Sequence, residues 1–140
     1  MMRNNDYTNC RVAKPDDAEI IETPVTSFWL DSEGILYSHP RDVERTEENV
    51  KHSLAILKER LGDKKVCMIS DTTYTPPYTV DARILLAEEM PKMLKAVAVL
   101  SCSPLGKMIG SKLFMSKPLP YPVKMFDDPD KAKEWIRQYI

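Results

Sequence analysis

Apolar and polar positions along this chain fall into blocks with two different periods. Val25-Thr-Ser-Phe-Trp-Leu30 and Ile35-Leu-Tyr37 are rich in β-branched and aromatic residues, and Asp31-Ser-Glu-Gly34 between them has turn chemistry, so a β-hairpin is expected. Thr46-Glu-Glu-Asn opens a helix with a hydroxyl cap and two early acids. Val50, Leu54, Leu57 and Leu61 follow on one stripe, Lys58 and Arg60 come late, and Gly62 stands just past the end. Val66-Cys-Met-Ile69 is a continuous apolar run, the pattern of a parallel strand buried on both faces. Asp71 to Tyr78 reads as a loop around Pro76-Pro77, after which Thr79 caps a helix carrying Val80, Ile84 and Ala87 that Pro91 closes.

Leu94 to Leu100 is a second buried strand, ending in Ser101-Cys-Ser103. Ser103-Pro104 then starts a helix with Leu105, Met108, Ile109 and Leu113 on one side, ending before Pro118. A short strand over Val123 to Phe126 precedes a last helix from Asp128-Pro129, burying Ala132, Trp135, Ile136 and Tyr139. Residues 1–20 are polar and aperiodic and are expected to form a flexible arm, leaving 21–140 as one domain. The order ββαβαβαβα predicts an α/β layer fold with a mostly parallel sheet and an antiparallel first hairpin strand.

Composition narrows the chemistry more than it proposes any. The four glycines, Gly34, Gly62, Gly106 and Gly110, are too scattered to write a P-loop or a dinucleotide fingerprint, so no nucleotide cofactor is expected. Cys10, Cys67 and Cys102 are odd in number and widely spaced, which points away from a disulfide scaffold and toward the cytoplasm. No apolar run is long enough to span a bilayer. A net charge of −1 argues against nucleic acid as a partner, but the distribution is uneven. Met90 to Phe126 holds six lysines and no Asp, Glu or Arg, so this stretch carries +6 and the remainder −7.

Catalytic constellations fail one by one. Cys102 precedes a helix N-terminus, where a thiol can become a nucleophile, yet only His39 and His52 could serve as its base. Two histidines without C-x-x-C or H-x-x-x-H spacing leave no metal set, and a G-x-S-x-G elbow is missing. In an open parallel sheet ligands sit beyond the carboxyl ends of the strands, an edge that gathers Asp71, the Thr72–Tyr78 loop, Thr79, Ser101, Cys102 and Ser103 here. These residues could equally be ordinary caps and a strand-end carboxylate. A second candidate surface lies on the helix after Ser103, where Met108, Phe114 and Met115 stand beside Lys107, Lys112 and Lys117. Gly106 and Gly110, four apart on that helix, could serve tight packing on the sheet or a contact with another helix.

The segments Phe28 to Tyr37, Val66 to Asp71, Lys95 to Gly110 (KAVAVLSCSPLGKMIG) and Pro122 to Ile136 (PVKMFDDPDKAKEWI) together resemble bacterial SpoIIAA-like proteins of STAS type, frequent in Bacteroidetes. The resemblance covers roughly Thr23 to Ile140 and implies four turns of a β/α superhelix. Its better-known relatives are anti-sigma-factor antagonists, switched by phosphorylation of a serine in a D-S-[ST]-G motif. The corresponding stretch here is Asp71-Thr-Thr-Tyr-Thr-Pro-Pro-Tyr-Thr79, which lacks that motif. The resemblance and the lack of a catalytic constellation together lead to the expectation of a non-catalytic regulatory or protein-interaction domain, a homodimer by expectation; the strand-end edge and the helix surface read above supply its candidate binding residues, Asp71, Thr79, Ser103, Lys107, Met108, Lys112 and Met115. The alternative is a binder of a small apolar or anionic, lipid-like ligand, since related folds of the CRAL-TRIO class bind lipids.

Overall fold

The computed structural model describes residues 12, 14–115 and 118–140. Most of the arm expected over residues 1–20 lies outside the described residues, as do Cys10 and Lys117. The elements are β1 (Glu19–Glu22), β2 (Thr26–Leu30), β3 (Ile35–Pro40), α1 (Glu47–Leu61), β4 (Val66–Asp71), α2 (Val80–Met93), β5 (Leu94–Leu100), α3 (Pro104–Phe114), β6 (Val123–Phe126) and α4 (Pro129–Ile136). A 3-10 turn over Arg137–Tyr139 ends the chain.

The strands form one six-stranded sheet in sequential order, β1 to β6. The β1–β2 and β2–β3 pairs are antiparallel, and the β3–β4, β4–β5 and β5–β6 pairs are parallel. The sequence pattern did not foresee β1, a short edge strand of sequence EIIE in which only Ile21 is buried. A single inward residue carries too little period to be read without its partner strand. At the hairpin, Asp31 Oδ1 accepts from the N–H groups of Glu33 and Ile35 at 2.9 and 3.0 Å, and Gly34 takes a φ of +84°. The Tyr37 hydroxyl donates to Asp31 Oδ2 at 2.9 Å.

Because the order is sequential and the parallel crossovers share one hand, α1, α2 and α3 return over the same face of the sheet. Alternate residues of the strands divide between two cores. Leu36, Met68, Val97 and Val99 meet Val50, Leu54, Leu86, Met90 and Phe114 on that face. Ile35, Tyr37, Cys67, Ile69, Ala96, Ala98 and Leu100 meet Ala132 and Ile136 of α4 on the other. The alanines of β5 let α4 lie close to the sheet, and a bidentate pair between Arg137 and Glu33, both bonds 2.9 Å, anchors its end to the β2–β3 turn. No helix among the described residues is long and apolar enough to cross a membrane.

Three expectations change. Pro91 does not close α2 but sits inside its last turn, and the chain passes into β5 without a loop. The buried face of α2 is Ala82, Leu86, Met90 and Met93, leaving Val80 and Ile84 about half exposed (60% and 52%). Likewise α3 buries Gly106, Ile109, Gly110 and Phe114, and turns Leu105 and Met108 outward. The reason is steric. A Cβ at Gly106 would collide with the Thr72 carbonyl oxygen and lie 2.7 Å from the hydroxyls of Ser101 and Ser103. The glycine face is thus the one that can approach the sheet, and it sets the rotation of the helix.

Gly106→Ala should lower the unfolding free energy by about 1–3 kcal/mol, the usual range for overpacking, in urea titrations. Gly110→Ala, whose Cβ would meet Val99 Cγ1 at 3.0 Å and Thr72 Oγ1 at 3.1 Å, should cost less. A Gly106→Ala protein as stable as the parent contradicts this packing.

Candidate functional site

The parallel strands end in polar residues that the fold keeps rather than exposes. Thr72, Thr73, Thr75, Ser101 and Ser103 are all buried. The Thr72 N–H donates to the Leu100 carbonyl at 2.8 Å, carrying the β4–β5 ladder one step past the strand. The N–H of Thr73 donates to Asp71 Oδ1 at 2.9 Å, and Thr73 Oγ1 accepts from the Cys102 N–H at 3.2 Å. Ser103 does two jobs. Its hydroxyl donates to the Thr73 carbonyl at 2.6 Å and accepts from the Gly106 N–H at 2.9 Å, so one side chain caps α3 and ties it to the β4–α2 loop.

Thr79 is a cap of the simpler kind. Exposed at the start of α2, it accepts from the Ala82 N–H at 3.2 Å. Asp71 is buried at the end of β4, with Oδ2 3.8 Å from His39 Nδ1, and the imidazole stacks on Trp29 at 5.4 Å between centroids. Cys102 is disulfide-bonded, so the thiolate that a nucleophile reading requires is not available. The odd cysteine count pointed away from such a bond. Cys67 is a free, buried thiol whose pKa burial pushes up. No group of three His, Cys, Asp or Glu side chains suited to a metal ion occurs among the described residues.

The remaining residues expected at the site belong to the outer surface of α3. Leu105, Met108 and Met115 are 52%, 49% and 50% exposed, and with Lys112 they recur at spacings of three and four, a single outward stripe. Lys107 lies exposed beside it. At its N-terminal end the stripe meets the loop side chain of Tyr74, 48% exposed, across an open groove floored by Thr73, Thr75 and Ser103. The structure therefore brings Ser103 and the α3 stripe to one edge, and sets Asp71 inside that edge and Thr79 apart on α2.

Sequence reasoning missed one residue. Arg45, just before the cap of α1, is completely buried. It lines a cavity of about 60 Å³ between the sheet and the three helices of that face. Flanked by Asp42, Glu44 and Glu47, it reads in the sequence as part of a solvated charged run. No periodicity marks it, because its burial comes from an isolated parallel bridge to Tyr78, a contact across 33 positions of chain. Burial lowers the Arg45 pKa, and it raises that of Tyr78, which the nearby guanidinium partly offsets.

A solved structure shares this architecture: an uncharacterised protein of the DUF3478 family with a SpoIIAA-like fold from Shewanella loihica PV-4. It superposes with a TM-score of 0.52 at 16% identity, covering 85% of this chain and 91% of that one. At that identity the likeness establishes the fold alone. No curated protein matches the chain. A family model described as a domain of unknown function, DUF7793, matches residues 28–140.

Removing the Ser103 hydroxyl breaks two buried bonds at once, whereas Thr79 holds one at the surface. Ser103→Ala should therefore cost about 1–2 kcal/mol and Thr79→Ala about 0.5–1 kcal/mol, read from urea midpoints. The reverse ranking would show that the tie to Thr73 carries no energy.

Proposed function

We propose, for a chain that belongs to the DUF7793 family, a non-catalytic regulatory role of STAS type in which the carboxyl edge of the sheet and the outer face of α3 bind a partner protein. The observation that carries this reading is the outward stripe Leu105, Met108 and Met115 together with Tyr74, large apolar side chains held at the surface by a helix whose rotation Gly106 fixes. Such side chains gathered in one place mark an interaction surface. The polar groups around them point the same way: the hydroxyls of Thr73 and Ser103 and the Asp71 carboxylate are bonded into the fold, where they hold the edge in shape.

Charge indicates the kind of partner. The stripe carries Lys107 and Lys112 in a stretch free of acidic residues, so an apolar surface ringed by Asp and Glu complements it. A second copy joined through the same face by a two-fold axis would set these lysines against their own images, which favours a foreign partner over a homodimer built on α3. Methionine suits this role, because its unbranched thioether adapts to irregular apolar neighbours.

The Leu105→Asp/Met108→Asp double variant should keep its stability within about 0.5 kcal/mol, since both sites are exposed. It should lose the proteins that the parent retains from lysate, and raised salt should weaken that retention in the parent. Ile84→Asp on the exposed side of α2 serves as the control and should retain them. If the double variant retains the same proteins as the parent, the stripe is not the binding surface.

A further inference from the structure

Cys102 packs against the second core, one residue before the Ser103 cap of α3, and its sulfur is in a disulfide. Cys67 is a free thiol buried in the same core. The sequence holds one other cysteine, Cys10, outside the described residues. Val12, two positions on, bears on what that cysteine can reach. It packs against the same core as Cys102, beside Trp29, Tyr37, His39, Ile69 and Asp71. Asp71 at the end of β4 pairs in register with Leu100 at the end of β5. Neighbouring strands lie about 4.8 Å apart, so Cys102 stands one strand to the side of Asp71 and two residues beyond. Two residues of extended chain span up to ~7 Å, and a disulfide joins Cα atoms about 4.4–6.8 Å apart. Cys10 therefore has the reach to bond Cys102.

A disulfide can staple a fold that lacks a sufficient core, or respond to redox conditions in one that has it. Here both faces of the sheet carry a packed apolar core, built by α1, α2 and α3 on one side and α4 on the other, so no staple is required. Cys102 is only half-buried, within reach of a small thiol. The free N–H groups at the start of α3 favour negative charge on a neighbouring sulfur, which makes Cys102 a good leaving group in thiol–disulfide exchange. Once protonated, the released thiol has an acceptor in place, because its Sγ lies 3.2 Å from the Asp127 carbonyl oxygen. Burial seals Cys67 away and pushes its pKa up, so it does not compete in the exchange.

We infer that Cys10 and Cys102 form a reversible disulfide, a redox-sensitive fastening of the chain ahead of Val12 to the carboxyl edge of the sheet, opened by a small thiol of the glutathione class. A glutathione thiolate attacks one sulfur, forming a mixed disulfide and releasing the other cysteine as a thiolate. A second glutathione thiolate then displaces the first. Two electrons pass to the protein, the two glutathiones leave as their disulfide, and both cysteine thiolates take protons from water. The bond and the α3 stripe are separate features, so either can fail without the other.

The test uses the full native chain, oxidised with glutathione disulfide and then exposed to millimolar reduced glutathione without denaturant. Peptide mapping of the oxidised protein should show Cys10 linked to Cys102 in a chain that runs as a monomer on a non-reducing gel. Titration in urea should count one thiol before reduction and three after it, the full complement of the sequence. Reduced glutathione should open the bond in the folded protein, and glutathione disulfide should restore it. In native Cys10→Ser, iodoacetamide should alkylate Cys102 at least about tenfold faster than Cys67. Mapping and exchange on the parent protein decide the matter even if the variant does not fold. The inference is overturned if no disulfide forms, if Cys102 bonds Cys67 or a second chain, or if glutathione opens the bond only in urea.

Discussion

Two adjacent parallel strands with no polar face, β4 and β5, impose the constraint on which the rest of this molecule depends. Val66 through Asp71 are buried without interruption, and in Leu94 through Leu100 only Lys95 reaches solvent. Such a pair is stable only when covered on both sides. Three crossover helices supply one cover and α4 the other, and the small side chains of Ala96 and Ala98 decide how near the second cover comes. Both flanks of the sheet, the antiparallel β1–β3 meander and the short β6, extend this pair.

Burying the strands on both faces moves the polar problem to their ends. Backbone groups just past β4 and β5 cannot reach water, so threonine and serine hydroxyls take them up, with Ser103 serving both the loop and α3. The same crowding requires glycine at position 106, and that requirement turns α3 so that Leu105 and Met108 face outward. The exposed apolar stripe of α3 is thus a consequence of how the strand ends are satisfied. Polar residues that look chemically available in the sequence are consumed by the architecture, while apolar ones that look like core are left at the surface.

Arg45 marks the limit of that satisfaction. Two donors of its guanidinium have no hydrogen-bond partner, and neither do Asp71 Oδ2 and the Ser101 hydroxyl at the strand ends. A buried guanidinium is costly, and the Val43 carbonyl and the Tyr78 ring offset part of that cost here.

Much of the architecture was legible in the chain itself. The Thr46 cap and Gly62 stop of α1, the extent of β5, the Ser103-Pro104 start of α3 and the Asp128-Pro129 start of α4 are all where local pattern put them, because caps, prolines and apolar periodicity act within a few residues. The run of apolar residues also settled that the central strands are parallel and buried. Which face of α2 and α3 is inward, that a short strand with one buried residue joins the sheet, that Cys102 is bonded and that Arg45 is sealed inside were decided only by the tertiary structure. Each depends on a contact between distant segments, Gly106 on Thr72 or Arg45 on Tyr78, where sterics and pairing override what neighbouring residues suggest. Local chemistry determined the elements; the burial of particular side chains, and with it the candidate sites, came from how those elements meet.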